Sequence, residues 1–332
     1  MEYTVLARTG VRVSRLCLGT MTFGNEADEA ESIRIMDAAL DAGINFFDTA
    51  DVYNGGRTEE IAGRWLAGRR DEVVVASKLH FPTGKGLNER GSSRLHIRRG
   101  VEASLRRLNT DHLDILYLHH WDEHTDIEES LYAVESLIRE GKVLYSGVSN
   151  FSAWQTMKAL AEVREHRWAP LAVIQPQYSL LKRIAEVEIL PMAKSEGLAV
   201  CPYSPIGAGM LTGKYLRNES GRITVHPMYQ ERYKNSQYAE VAERFVAHAA
   251  ERGDDPAALA VAWVMSHPAV TAPIIGARNT EQLASALPSV DIRLSESERE
   301  AICALGVEPP LATDREDPKF LFIPNADAVN RK

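Results

Sequence analysis

Short apolar runs alternate with amphipathic stretches along most of this chain. Eight runs read as strands: 15–20 (RLCLGT), 45–49 (NFFDT), 72–78 (EVVVASK), 113–120 (LDILYLHH), 143–149 (VLYSGVS), 171–176 (LAVIQP), 198–204 (LAVCPYS) and 271–277 (TAPIIGA). Most are almost continuously apolar, the pattern of parallel strands covered on both faces. Between them the spacing predicts helices over 28–42, 57–69, 92–108, 127–140, 151–165 and 184–196. In the first, Ile33, Met36, Ala39 and Leu40 share one stripe behind an acidic opening turn. The segment 92–108 has a serine to cap its start and arginines near its end, where the helix dipole favours cations.

Eight strand–helix units, most roughly 25–35 residues apart, predict a (β/α)8 TIM barrel. A hairpin-like stretch around RTGVRV comes before it. A doubly wound sheet would usually carry G-x-G-x-x-G after its first strand, and LCLGTMTFGNE lacks that pattern. No linker or low-complexity tract divides the chain, so residues 1–332 read as one domain. The longest irregular stretch, 206–236, follows the seventh strand, on the end where a barrel keeps its chemistry.

Composition narrows the function classes. The formal charge of −8 leaves no global basic surface for nucleic acid or anionic lipid. Cys17, Cys201 and Cys303 are too scattered for a metal site or a disulfide framework, and read as core thiols of a reducing compartment. The N-terminus has no basic-then-apolar leader, and no run approaches the ~18–20 apolar residues of a membrane span. The expectation is a cytoplasmic protein, monomeric or weakly self-associating, with a small-molecule substrate.

Four polar residues stand at or just beyond strand ends: Asp48, Tyr53, Lys78 and His119. Singly each has a bland reading as a loop aromatic, a solvated lysine or a structural histidine. Together their chemistry fits. A lysine beside a tyrosine favours phenolate and draws the phenol pKa down, while a carboxylate keeps that lysine charged and oriented. A histidine can hydrogen-bond the same substrate oxygen as the phenol. The set suits proton donation to a carbonyl oxygen. His120 and His124 in HHWDEH could pair on a metal only if that stretch were helical, and no metal is expected.

The motifs FFDTADVYNGG, SK, LDILYLHHWD, GVSNFS, QPQYSLL, PYSPIGAGMLTGKY and PIIGARNTEQL occur in an order that resembles the aldo-keto reductase superfamily, from Arg15 to about Leu305. The likeness runs to bacterial branches that include potassium-channel β-subunit-like and sugar-ketoreductase members. It implies a tetrad in which Tyr53 is the general acid, Lys78 tunes it, Asp48 holds Lys78, and His119 orients the carbonyl. It implies a nicotinamide cofactor, NADP(H), near Gly19, Thr20, Met21 and Asp48. Ser149, Asn150 and Gln175 would grip the carboxamide, with Tyr203 stacked on the ring. The stretch Ser204, Pro205, Ile206, Gly207, Gly209, Leu211 and Lys214 would follow the pyrophosphate, and Gly276, Arg278 and Gln282 the adenosine phosphate. The planar fork of Arg278 suits a phosphate dianion, which favours NADPH over NADH. The family often has Glu-Asn where this chain has Ser285 and Ala286.

Met21, Phe23, Tyr53, His120 and Trp121 are expected to line the substrate pocket, with 79–92 and 206–236 closing it. The apolar FLFIP of the C-terminal tail is expected to fold over the mouth or an outer helix. The expected activity is reduction of an aldehyde or ketone, a sugar carbonyl among the candidates. The alternatives are a redox-sensing nicotinamide-binding subunit acting on a partner protein, and a metal-dependent barrel hydrolase.

Overall fold

Ten strands and twelve α-helices order the molecule in the computed structural model, which describes residues 1–313. Strands β1 (Tyr3–Val5) and β2 (Arg12–Ser14) form an antiparallel hairpin in the RTGVRV region. The remaining strands are β3 (Cys17–Gly19), β4 (Phe46–Asp48), β5 (Val74–Leu79), β6 (Leu113–Leu118), β7 (Val143–Ser149), β8 (Leu171–Gln175), β9 (Ala199–Val200) and β10 (Ile274–Gly276). All eight are parallel and lie in the order β10-β3-β4-β5-β6-β7-β8-β9. A main-chain bridge between Tyr203 and Ile274, with Ile274 N donating to Pro202 O at 2.8 Å, joins the two ends of the sheet. This is the (β/α)8 architecture the strand–helix alternation predicts.

Helices α1 (Glu29–Asp41), α2 (Arg57–Leu66), α3 (Arg94–Leu108), α4 (Ile127–Arg139), α5 (Ala153–Glu165) and α6 (Ile189–Glu196) match the predicted amphipathic segments. Side-chain caps set the starts of three of them. Asp28 caps α1, Ser93 caps α3, and Ser152 with Gln155 closes a reciprocal box at α5.

Residues 206–236 are less irregular than their sequence implies. They contain 3-10 turns at Gly207–Thr212 and Lys214–Arg217, then α7 (Arg222–Val225) and α8 (Pro227–Arg232). Such pieces are too short for a periodicity to register. Two longer helices, α9 (Gln237–Arg252) and α10 (Pro256–Met265), follow before β10. Every residue of α10 after Pro256 is buried, so it presents no polar face to read. Helices α11 (Thr280–Ala286) and α12 (Glu296–Cys303) complete the outer layer. The FLFIP segment lies outside the described residues.

Two cores result from the strand pleat. Cys17, Phe46, Ala76, Ile115, Tyr117, Val173, Ala199, Cys201 and Ile274 point into the barrel, and Leu6 and Val13 of the hairpin pack with them. Leu18, Phe47, Val75, Leu116, Leu118, Val148, Ile174 and Ile275 point outward against the helices. Because side chains alternate with period 2, the inward series continues past Phe46 to Asp48, past Ala76 to Lys78, past Tyr117 to His119, and past Val173 to Gln175. The registers Asp48↔Ala76, Lys78↔Tyr117 and Ser149↔Gln175 put these polar residues at one end of the barrel. Gly147 faces inward too. A Cβ there would lie 2.6 Å from Val173 Cγ1 and 3.0 Å from Tyr117 Cδ1, so only glycine fits between these strands.

Candidate active site

At the C-terminal ends of β4 and β5, Lys78 Nζ donates to an oxygen of Asp48, to the Thr49 carbonyl at 2.7 Å and to Tyr53 Oη at 3.2 Å. The Lys78 side chain is wholly buried and that of Asp48 is 3 % exposed. The second Asp48 oxygen accepts from Gln175 Nε2 at 2.9 Å. Thr20 Oγ1 holds the Asp48 carbonyl at 3.0 Å. Burial alone would lower the Lys78 ammonium, but Asp48 and Tyr53 beside it hold it up at about 12. Burial likewise pushes the Asp48 carboxyl up, against the pull of Lys78 and Gln175. The two are charged together, because either one alone would be an uncompensated buried ion.

Tyr53 stands at the start of a 3-10 turn, Tyr53–Gly56. The next residue, Asn54, takes a left-handed φ of 49° and donates through Nδ2 to the carbonyls of Met21 and Phe23 at 3.0 and 2.8 Å. That tie fixes the loop carrying the phenol to the loop after β3. The ring of His119 lies edge-on to Tyr53, with centroids 6.1 Å apart. Burial first, and Lys78 next, keep the His119 imidazole neutral, well below its ordinary pKa. Its Nδ1 is buried with no partner among the described residues. The adjoining His120 is exposed at the rim.

One electrostatic expectation is corrected. Lys78 does draw the Tyr53 phenol downward, but burial outweighs it and the phenol stands above its ordinary value. Tyr53 is therefore fully protonated at neutral pH, a proton donor held next to a cation.

The later strands supply a second set. Asn150, with φ 57°, donates to the His119 carbonyl at 2.9 Å and accepts from Tyr203 Oη at 2.7 Å. Ser149 Oγ donates to the Gln175 carbonyl at 3.1 Å. The segment from Ser204 bends through left-handed backbone at Ser204, Gly207, Ala208 and Gly209. A Cβ on Gly209 would stand 2.6 Å from Lys214 Cε, so glycine is what lets the lysine lie across the turn. Leu211 is fully buried, and its side chain anchors this segment in the core instead of lining it.

Lys214, Arg222 and Arg278 gather around the same turn. Burial, then Arg278 and Arg222, lower the Lys214 ammonium. Glu26 reaches Arg222 at 3.3 Å and Arg278 at 3.7 Å. Gln282 Oε1 accepts from the Arg278 main-chain N–H at 3.1 Å, and Gly276 is exposed beside them. Three cations crowded on a glycine turn fit an anionic phosphate group, which would relieve their mutual repulsion.

Phe23 does not line the mouth. It is fully buried, because Phe23 N bonds back to Thr20 O at 2.9 Å and turns the ring into the core. Met21 is half-buried, and Tyr229 of α8 reaches its sulfur at 3.9 Å. Several site residues carried no sequence signal of their own. Phe81 packs on His119 at 4.9 Å and His80 on His120 at 5.4 Å. Phe151 and the exposed Trp154 pack on Trp121, itself an expected pocket residue. Tyr229, Arg222 and Glu26 arrive from segments far apart in sequence. Shape is no guide either: a groove of about 550 Å³ lies between α2 and α3, lined by Arg64, Arg106 and Arg107, away from the tetrad.

At the barrel mouth, then, a buried Lys–Asp pair holds a tyrosine with a histidine beside it, next to a cationic glycine turn. The sequence model of the aldo/keto reductase family matches residues 15–306, and the chain belongs to that family. It is 45% identical over 308 residues to an uncharacterized oxidoreductase, YrpG, of Bacillus subtilis (89% of this chain, 92% of the relative). It is 38% identical over 305 residues to a probable voltage-gated potassium channel subunit beta of Oryza sativa subsp. japonica (88% and 92%). It is 35% identical over 304 residues to norsolorinic acid reductase A of Aspergillus parasiticus (87% and 76%). Among the described residues no helix is long and apolar enough to cross a membrane.

Proposed function

We propose that residues 1–332 form one reductase domain that reduces an aldehyde or ketone with NADPH, using Tyr53 as general acid. The observation that carries this reading is the contact of Tyr53 Oη with the buried, charged Lys78 at 3.2 Å. A nicotinamide held along Ser149, Asn150, Gln175 and Tyr203 supplies the hydride when bound. The chain's own residues then manage one proton. The carbonyl oxygen rests between Tyr53 Oη and the neutral His119 imidazole, which fix its direction. As negative charge grows on that oxygen, the phenol proton passes to it and the alkoxide becomes alcohol. Lys78 steadies the phenolate left behind, and Asp48 steadies Lys78. Tyr53 regains its proton from solvent before the next turnover.

Lys214, Arg222 and Arg278 favour a cofactor carrying the extra phosphate. Phe81, His80, His120 and Trp121 give the mouth an aromatic wall, which supports carbonyls borne on flat or apolar bodies. A second reading, a redox-sensing subunit, is favoured by the likeness to the rice channel subunit.

The test is NADPH oxidation with a panel of aryl aldehydes, diketones, quinones and keto-sugars, beside Tyr53→Phe. The variant is expected to fold and bind NADPH while kcat falls by about 10²–10⁴, the usual contribution of a positioned acid. A fully active Tyr53→Phe removes the assignment. Single-turnover oxidation with slow cofactor release, in place of steady turnover, selects the sensor.

A further inference from the structure

Behind the tetrad lies a second buried group of charges. Ser77, one residue before Lys78, points outward and donates to Glu59 Oε1 of α2 at 2.6 Å. The other Glu59 oxygen is held by Arg107 of α3, at 2.8 Å from Nε and 2.7 Å from Nη2. Asp51, in the loop after β4, is 2 % exposed. Its Oδ2 is 4.0 Å from where a Cβ on Gly100 of α3 would sit, and its N–H donates to the Lys78 carbonyl at 3.1 Å. Both its carboxyl oxygens are buried and no side chain among the described residues bonds them; the Val52 main-chain N–H is turned toward the carboxyl without closing a full hydrogen bond.

The charges do not balance. Asp48 takes Lys78 and Glu59 takes Arg107, which leaves a third carboxyl with no cation of its own. Glu59 from α2, Arg107 from α3 and Lys78 from β5 are the charged groups whose fields reach Asp51. A buried carboxylate in that position sheds its charge by keeping its proton. The direction agrees: burial first, and Glu59 next, raise the Asp51 carboxyl to about 7, against Arg107, the Val52 N–H and Lys78.

We propose that Asp51 is a positioning residue that holds its proton on the acid side of neutrality and, on giving it to solvent, weakens Tyr53 as an acid through Lys78. All three donors of the Lys78 ammonium are already engaged, so an ionised Asp51 acts on it through space: its negative charge offsets part of the lysine's field at the phenol. The residue touches neither substrate nor cofactor; it sets how the site responds to pH. The catalytic half of this inference rests on the reading of Tyr53 given above, whereas the ionisation of Asp51 does not.

The experiment compares wild type, Asp51→Asn and Asp51→Glu from pH 5 to 9, in kcat for carbonyl reduction and in urea unfolding. In the wild type, kcat is expected to fall roughly three- to tenfold through neutrality, the effect of about one unit or less in the acidity of Tyr53. Asp51→Asn should lose that inflection and Asp51→Glu should keep it. An inflection that survives in Asp51→Asn overturns the proposal.

The sign in unfolding is independent of catalysis. An acid whose folded pKa is raised lowers stability as pH climbs from its unfolded value to its folded value. The advantage of Asp51→Asn over wild type should therefore grow from about pH 4 to about pH 7 and level off above. A difference that does not vary with pH overturns the proposal. If Tyr53→Phe proves fully active while this advantage still grows, the Tyr53 assignment fails and Asp51 ionisation stands. Carbon-13 NMR of aspartate carboxyls, with the Asp51 signal assigned by its loss in Asp51→Asn, reads the same ionisation directly. An aspartate titrating near pH 7 is expected, and none titrating above about pH 5 overturns it.

Discussion

Replacing Lys78 by methionine removes the cation from the centre of the site while keeping most of the side-chain volume. The wild-type ammonium makes three contacts, to Asp48, to the Thr49 carbonyl and to Tyr53, and is shielded from water. Its loss leaves Asp48 buried with only Gln175 as a donor. Removing one partner of a buried ion pair costs about 3–5 kcal/mol. That cost depends on pH. Asp48 without its cation titrates higher in the folded state, so the variant loses stability as pH rises through that raised value and recovers it toward acid pH. Urea unfolding at pH 5 and pH 8 is the assay. The deficit against wild type should be a few kcal/mol at pH 8 and smaller at pH 5, as a shift in midpoint with unchanged slope. In the folded variant, kcat for carbonyl reduction should drop by about 10²–10⁴. Wild-type unfolding midpoints at both pH values, with kcat reduced only a few-fold, would refute the account of Lys78.

Two further outcomes test other parts of the structure. Arg278→Ala should raise the KM for NADPH by roughly 10- to 100-fold, the worth of a charged hydrogen bond of about 1.5–3 kcal/mol, and leave NADH kinetics nearly unchanged. Equal losses with both cofactors would remove Arg278 from phosphate recognition. Gly147→Ala forces a methyl against Val173 and Tyr117 inside the barrel, and should destabilise by about 1–3 kcal/mol in thermal or urea unfolding. A neutral effect would mean that the β6–β7–β8 spacing is not set by this glycine.

The barrel was legible from the chain because parallel strands covered on both faces must be apolar almost throughout, and eight such runs alternate with amphipathic helices. The same logic exposed Asp48, Lys78 and His119: a polar residue in phase with inward-facing neighbours, at the end of an apolar run, must point into the barrel mouth. Helix α10 was invisible because a helix buried on all sides has no polar face, and α7 and α8 because they span too few turns. Phe23 misled because a turn after β3, set by one main-chain bond to Thr20, directs its ring into the core instead of the pocket.

Tertiary structure alone decided the electrostatics. The sequence by itself supplied a lysine to favour the phenolate, but how deep Tyr53 lies determines that burial wins. It supplied Asp51 as one more acid in a loop, but only the packing of α2 and α3 against β5 shows that Glu59 takes Arg107 and leaves Asp51 with no cation of its own. The physical reason is one of range. Pattern and pleat are set by neighbours along the chain, whereas a charge is stabilised or stranded by groups that the fold brings from elsewhere.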